Sequence, residues 1–154
     1  MAMTKKRTKA GVTSSAYKRF LSNLDLYAIG LDQIEAKLDR TDYAKSIGDK
    51  RSSIVRNITT EFALSELDGD HFDVSGSFEL SMGRANDAMT FLEIRASYSA
   101  HFHPKKGTFL RADAEQFAES EAKLLFWPYF RQTVADTTAR MYIRPITIPL
   151  VFKP

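Results

Sequence analysis

Three histidines, His71, His101 and His103, are the first candidates for chemistry in this chain, the last two falling on one face of a strand pattern. Imidazole suits zinc or copper. A zinc site needs further ligands, however, and the chain has no cysteine and no carboxylate pair beside His101 and His103 to complete one. Next to Pro104 they read as solvent-exposed residues at a strand end. Asp68 and Asp70 flank Gly69, an arrangement that hints at calcium, but the rest of a twelve-residue loop is missing and a turn suffices. There is no glycine-rich phosphate loop, no zinc-binding cysteine set and no nucleophile elbow, and no serine sits in a motif that would activate it. The expectation is a protein without catalysis, metal or cofactor.

A denser cluster lies near the C-terminus. Phe126, Trp127, Tyr129, Phe130, Met141 and Tyr142 fall in one stretch, interleaved with Arg131, Arg140 and Arg144. Three uses compete: plain core, a groove that accepts apolar side chains of another polypeptide, or base stacking on a nucleic acid. The polar tips of Trp127 and Tyr129 suit a half-exposed site. Pro128 fits the first turn of a helix running to Met141, since its missing N–H costs nothing there. Asp136 and Arg140 are spaced for a helical ion pair. Pro145 then stops the helix, and Pro149 keeps Ile146, Ile148, Val151 and Phe152 extended.

Upstream, the elements that must position this cluster read as strands. From Tyr17 to Leu38 two periods compete: Tyr17, Phe20, Leu21, Leu24, Ala28, Leu31, Ile34 and Leu38 follow helical spacing, whereas Leu24, Leu26, Ala28 and Ile34, Ala36, Leu38 alternate. Periodicity alone favours a helix. Gly30 lies between the alternating halves, where a strand would bend or bulge. Asp39 to Ser53 is polar and reads as a loop. A second strand runs from Ile54 to Leu64, with Ile54, Ile58, Phe62 and Leu64 on one side, and the Asp-Gly of Leu67-Asp68-Gly69-Asp70 signals a hairpin. Phe72, Val74, Gly76, Phe78, Leu80 and Met82 face one way in the clearest strand. Leu92, Ile94, Ala96, Tyr98, Ala100 and Phe102 do so in a fourth, whose other face is polar. Such a sheet needs a cover. A short helix through Glu115, Phe117, Glu119 and Lys123, capped by Asp113, and the long helix after it supply one. The fold class is α+β, a four-stranded antiparallel sheet covered by a short and a long C-terminal helix.

At 154 residues the chain suits one domain, burying about 70% of the surface its unfolded form exposes. Residues 1–15 carry Lys5, Lys6, Arg7 and Lys9 and read as a flexible basic tail ahead of a domain at 16–154; a nucleic-acid arm is the alternative. No apolar run is long enough to span a membrane, so the expected location is cytoplasmic.

The order Phe126, Pro128, Tyr129, Arg131, Arg140, Pro145 and Pro149 resembles the SecB export-chaperone family. Its late helix opens with Leu-Phe-Pro-Tyr, continues Ala-Arg-Glu and ends in an arginine before a proline-spaced apolar tail. The resemblance implies that the stretch from Leu24 to Leu38 is an edge strand. It also implies a chaperone that works without ATP, binds non-native polypeptide in apolar grooves and assembles as a dimer of dimers. The polypeptide groove would then be lined by Phe62, Leu64, Phe78, Leu80, Phe126, Met141, Tyr142, Ile143, Ile146 and Ile148. Trp127, Tyr129, Phe130, Arg131, Val134 and Thr138 would form the oligomer interface. The chain departs from the family in its net charge of +3 and in Met141-Tyr142-Ile143-Arg144-Pro145, where the family has glycine and Phe-Pro. These departures look more like the relatives found with toxin–antitoxin systems, whose client is an aggregation-prone antitoxin. No acidic position that engages the SecA motor carries over. Two other readings stay open: a nucleic-acid module using the basic arm and helix arginines, and a small-ligand pocket beneath the helix.

Overall fold

The computed structural model describes residues 14–49, 53–85 and 89–149. Helix α1 (Ser15–Ser22) leads into strand β1 (Leu24–Leu38), helix α2 (Arg40–Gly48), strands β2 (Ile54–Asp68), β3 (His71–Arg84) and β4 (Thr90–Pro104), and helices α3 (Arg111–Ser120) and α4 (Ala122–Arg140). The strands form one antiparallel sheet in the order β1-β4-β3-β2. The basic residues Lys5 to Lys9 lie outside the described residues.

Strand β1 explains the two competing periods. Opposite the core-facing residues of β4 stand Leu26 (Phe102), Ile29 (Ala100), Leu31 (Tyr98), Ile34 (Ala96), Ala36 (Ile94) and Leu38 (Leu92). The spacing alternates between two and three because the register shifts between Leu26 and Ala28 and again between Leu31 and Gln33. Each bulge adds one residue and returns the apolar side chains to the same face. Gly30, expected at a bend, pairs regularly with Ser99 between the two bulges. The helical half of the pattern is also present, but it stops early: Ser14 caps α1 by accepting from the Tyr17 N–H at 3.1 Å, and Tyr17 and Phe20 are buried.

Other expectations need correcting. The supposed loop 39–53 contains α2, started by Asp39, whose Oδ1 accepts the Asp42 N–H at 2.9 Å. Helix α4 begins at Ala122, so Pro128 sits in its interior rather than its first turn. Asp113 lies in the first turn of α3 and does not cap it; the N-cap is Leu110, with no side-chain bond. Asp136 accepts from Gln132 Nε2 at 2.8 Å.

What ends α4 is Tyr142, not Pro145. Tyr142 adopts φ +57°. Its N–H donates to the Ala139 carbonyl at 3.1 Å and the Ile143 N–H to the Thr138 carbonyl at 3.4 Å. This bond pair closes a helix with a left-handed residue, a place usually held by glycine.

The core lies between the sheet and the helices. At one end Phe72 stacks on Phe102 (4.9 Å) and meets Phe109 edge-on (4.7 Å), with Phe20 and Phe117 around them. The middle is organised by one cross-strand row, Leu31–Tyr98–Gly76–Phe62. Because Gly76 has no side chain, the Phe126 ring of α4 drops onto the sheet there, stacked with Phe62 (6.4 Å) and Tyr98 (5.9 Å). A Cβ at Gly76 would lie 2.7 Å from Phe126 Cδ2.

Candidate functional site

Helix α4 is fixed over β3 and β4 by Phe126 and by Phe130, whose ring stacks on Phe78 at 4.6 Å. Tyr98 Oη donates to Thr133 Oγ1 at 2.7 Å on the side toward β1. The two flanks of the helix differ. Along one, the chain after Tyr142 folds back as an extended segment. Trp127 Nε1 donates to the Pro149 carbonyl at 2.9 Å, Arg131 Nε to the Ile148 carbonyl at 2.7 Å, and Arg56 Nη1 to the Thr147 carbonyl at 3.2 Å. The Ile146 N–H donates to Thr138 Oγ1 at 3.0 Å. Ile148 is buried and Ile146 half-buried, while Thr147 and Pro149 face outward.

The other flank looks onto β1. Here the inward face of the edge strand is left wet: Leu26 is 40% exposed, Leu31 47% and Ile34 43%. Their partners across the pair, Phe102, Tyr98 and Ala96, are buried. An apolar strip therefore runs along the sheet edge beside Thr133. The sequence reading did not single out these residues. The signal was present in the spacing 26, 29, 31, 34, which fits one face only with two bulges.

Of the residues expected to line a polypeptide groove, Phe78, Leu80, Phe126, Ile143 and Ile148 are buried within the chain. Phe62, Leu64, Met141 and Ile146 are half-buried against the core, and Tyr142 is 90% exposed. Of those expected at an oligomer interface, Trp127, Phe130, Val134 and Thr138 are buried within the chain, Arg131 is turned onto the tail, and Tyr129 is exposed, as is Leu124 elsewhere on the same helix. Packing within the chain accounts for the buried ones.

The histidines gather at one end of the outer sheet face, where carboxylates come both from a sequence neighbour, Asp70, and across a strand pair, Asp73. His71 Nδ1 lies 2.9 Å from Asp70 Oδ1 and His101 Nδ1 2.7 Å from Asp73 Oδ1. The hydrogen bond between His71 and Asp70 raises the histidine pKa and lowers that of the carboxylate. Asp68, Asp70 and His71 can bring ligand atoms within 4.8 Å of one another at the surface, and ion pairing accounts for the arrangement. The rest of this outer face carries Glu35, Glu61, Glu79 and Glu93 against Lys37 and Arg95. Such a face repels phosphate.

No family model and no curated protein matches the sequence. Among solved structures, a SecB-like chaperone from Mycobacterium tuberculosis, in complex with a ChAD peptide from the HigA1 antitoxin, is similar. Its TM-score is 0.66 at 16% identity, over 87% of this chain and 95% of that one. A protein of unknown function from Streptococcus agalactiae gives a TM-score of 0.46 at 9% identity, over 82% of this chain and 96% of that one. With its β1-β4-β3-β2 sheet under two C-terminal helices, the chain has the α+β fold of a SecB-like chaperone.

Proposed function

We propose that this protein is an ATP-independent holdase, a binding protein for non-native polypeptide with no reaction of its own. The observation that carries the reading is the uncovered strip of Leu26, Leu31 and Ile34 beside α4, on a fold shared with a SecB-like chaperone. Apolar side chains held in water on a rigid sheet gain by covering themselves with those of an unfolded chain. The adjoining free edge of β1 offers backbone groups to an extended segment. Because the similar chaperone is in complex with an antitoxin peptide, an antitoxin segment is the first client class to test. Among the described residues no helix is long and apolar enough to cross a membrane.

Self-association, as a dimer of dimers, belongs to the same proposal, with the exposed Leu124 and Tyr129 of α4 in the contact. Mass measurement in solution tests it. A monomer at working concentration removes that part and leaves the strip.

The holdase reading itself is tested by light scattering. Chemically denatured client is diluted into buffer without nucleotide, with and without equimolar protein subunits. Suppressed aggregation is expected, and unchanged aggregation overturns the reading.

A further inference from the structure

We propose that the segment Arg144–Pro149 is an internal ligand, seated in a backbone-reading groove on α4 that also takes an extended apolar segment of a client, the two exchanging. The inference rests on the holdase reading and names a second site for the same client class.

The groove is built to hold main chain rather than particular side chains. Four consecutive residues, Ile146 to Pro149, are each bonded through a backbone atom to a side chain of the groove: Thr138 Oγ1, Arg56 Nη1, Arg131 Nε and Trp127 Nε1. The three carbonyl bonds form with any sequence, and the fourth, from the Ile146 N–H, with any residue but proline. Side-chain selection is limited to alternate positions. Ile146 and Ile148 point in and Thr147 points out, the period of an extended strand. Pro145 and Pro149 hold the residues before them extended, which reduces the entropy lost on seating.

Among the described residues, these four bonds and the inward seating of Ile146 and Ile148 against the core are what hold the segment. It belongs to no helix or strand, and among the described residues no backbone–backbone hydrogen bond holds 144–149. The helix before it is closed independently at Tyr142. The segment can therefore peel away without breaking the sheet or α4, a local opening of the low-stability kind. Peeling uncovers Trp127 and Thr138, both buried and both bonded to the segment when it is seated. On peeling, Thr138 Oγ1 gives up the Ile146 N–H it accepts, while its own hydroxyl still donates to the Val134 carbonyl at 2.8 Å. A client segment with β-branched or other apolar residues two apart meets the same donors and fills the same two positions.

Two experiments on the full chain test this. First, deuterium uptake of residues 144–149 is followed while a reduced and carboxymethylated, permanently unfolded protein is added. Uptake is expected to rise as the client displaces the tail; unchanged or reduced uptake with client bound overturns the proposal. Second, the variant Ile146→Ser/Ile148→Ser loosens the tail without touching the groove, and a free peptide of residues 144–154 is titrated into it. Trp127 is the single tryptophan, so its emission reports seating directly. The peptide should bind the variant more tightly than wild type, by about tenfold if the tail fills the groove nine-tenths of the time. Equal affinity, or no change in emission, overturns it. The peptide arm needs no chaperone activity, so failure to suppress aggregation beside normal peptide seating would refute the holdase reading alone. Suppression without seating would refute the internal ligand alone. Should the double variant not fold, the exchange experiment on wild type decides.

Discussion

Gly76→Ala tests the joint between α4 and the sheet. The added Cβ would lie 2.7 Å from Phe126 Cδ2 and 3.0 Å from both Phe126 Cε2 and Phe62 Cδ1. Carbon atoms at contact prefer about 3.5–4.0 Å, so the Phe126 ring must withdraw by about 1 Å. It has nowhere to go: the ring is fully buried and lies between Phe62 and Tyr98, the partners of Gly76 on either side. Overpacking of this kind costs about 1–3 kcal/mol. Replacing glycine in a strand returns about 0.5–1 kcal/mol through the unfolded chain. A net loss of up to about 2.5 kcal/mol, centred on about 1 kcal/mol, follows from those two terms. The control is Gly30→Ala on β1, where a Cβ meets nothing within 4 Å; that change should be neutral or stabilising. Urea unfolding followed by Trp127 emission reads both. Combining Gly76→Ala with Phe126→Leu should recover about 1 kcal/mol relative to the sum of the single changes, since the pair share one contact. If Gly76→Ala matches Gly30→Ala, or the cycle is additive, the seating of Phe126 on Gly76 is not what fixes the helix.

Other expectations follow from single residues. Tyr142 is 90% exposed at φ +57°, so Tyr142→Gly should raise stability by about 1 kcal/mol in the same urea assay, relieving the left-handed strain. Among the described residues the buried Tyr17 hydroxyl has no hydrogen-bond partner, so Tyr17→Phe should stabilise by up to about 1 kcal/mol. Burial pushes the Tyr17 pKa up to about 12 from 10.0. Its neutral form therefore stabilises the fold fully below pH 10, and that contribution is lost as pH rises toward 12. Tyr17→Phe should flatten the alkaline limb of a stability–pH profile. His71 is raised by its bond to Asp70; the ion pair is complete below the ordinary histidine pKa and is lost as pH rises through the folded one. An NMR titration should place His71 above its ordinary midpoint, and Asp70→Asn should lower it.

The sheet was legible in the sequence because β3 and β4 alternate without interruption from Phe72 to Met82 and from Leu92 to Phe102. The edge strand was not, on periodicity alone: two bulges in thirteen residues mimic a helical repeat, and the family resemblance decided it. Helix α2 was hidden because only Tyr43 and Ile47 are large and apolar among its nine residues, so its signal was the Asp39 cap. Pro128 misplaced the start of α4, since the helix begins more than a turn earlier at Ala122 and runs through it. Burial around the candidate site was the least legible. An aromatic cluster predicts where apolar side chains concentrate, but whether a given ring is sealed depends on its tertiary neighbours. Phe126 and Phe130 went inward through Gly76 and Phe78. Leu26, Leu31 and Ile34 stayed wet because β1 is an edge strand and no helix among the described residues covers them.

The central claim is that this wet strip holds clients, and equilibrium binding tests it most directly. A fluorescently labelled, permanently unfolded protein is titrated with wild type and with Leu31→Asp/Ile34→Asp, each checked for an unchanged unfolding midpoint. Fully burying a leucine or isoleucine contributes about 1.5–3 kcal/mol; Leu31 and Ile34 are nearly half exposed, so covering both contributes about 1.4 kcal/mol or more together, and about 1.4 kcal/mol is a tenfold change in affinity. Weakening by at least about tenfold is therefore predicted. Equal binding by the two proteins would contradict the account.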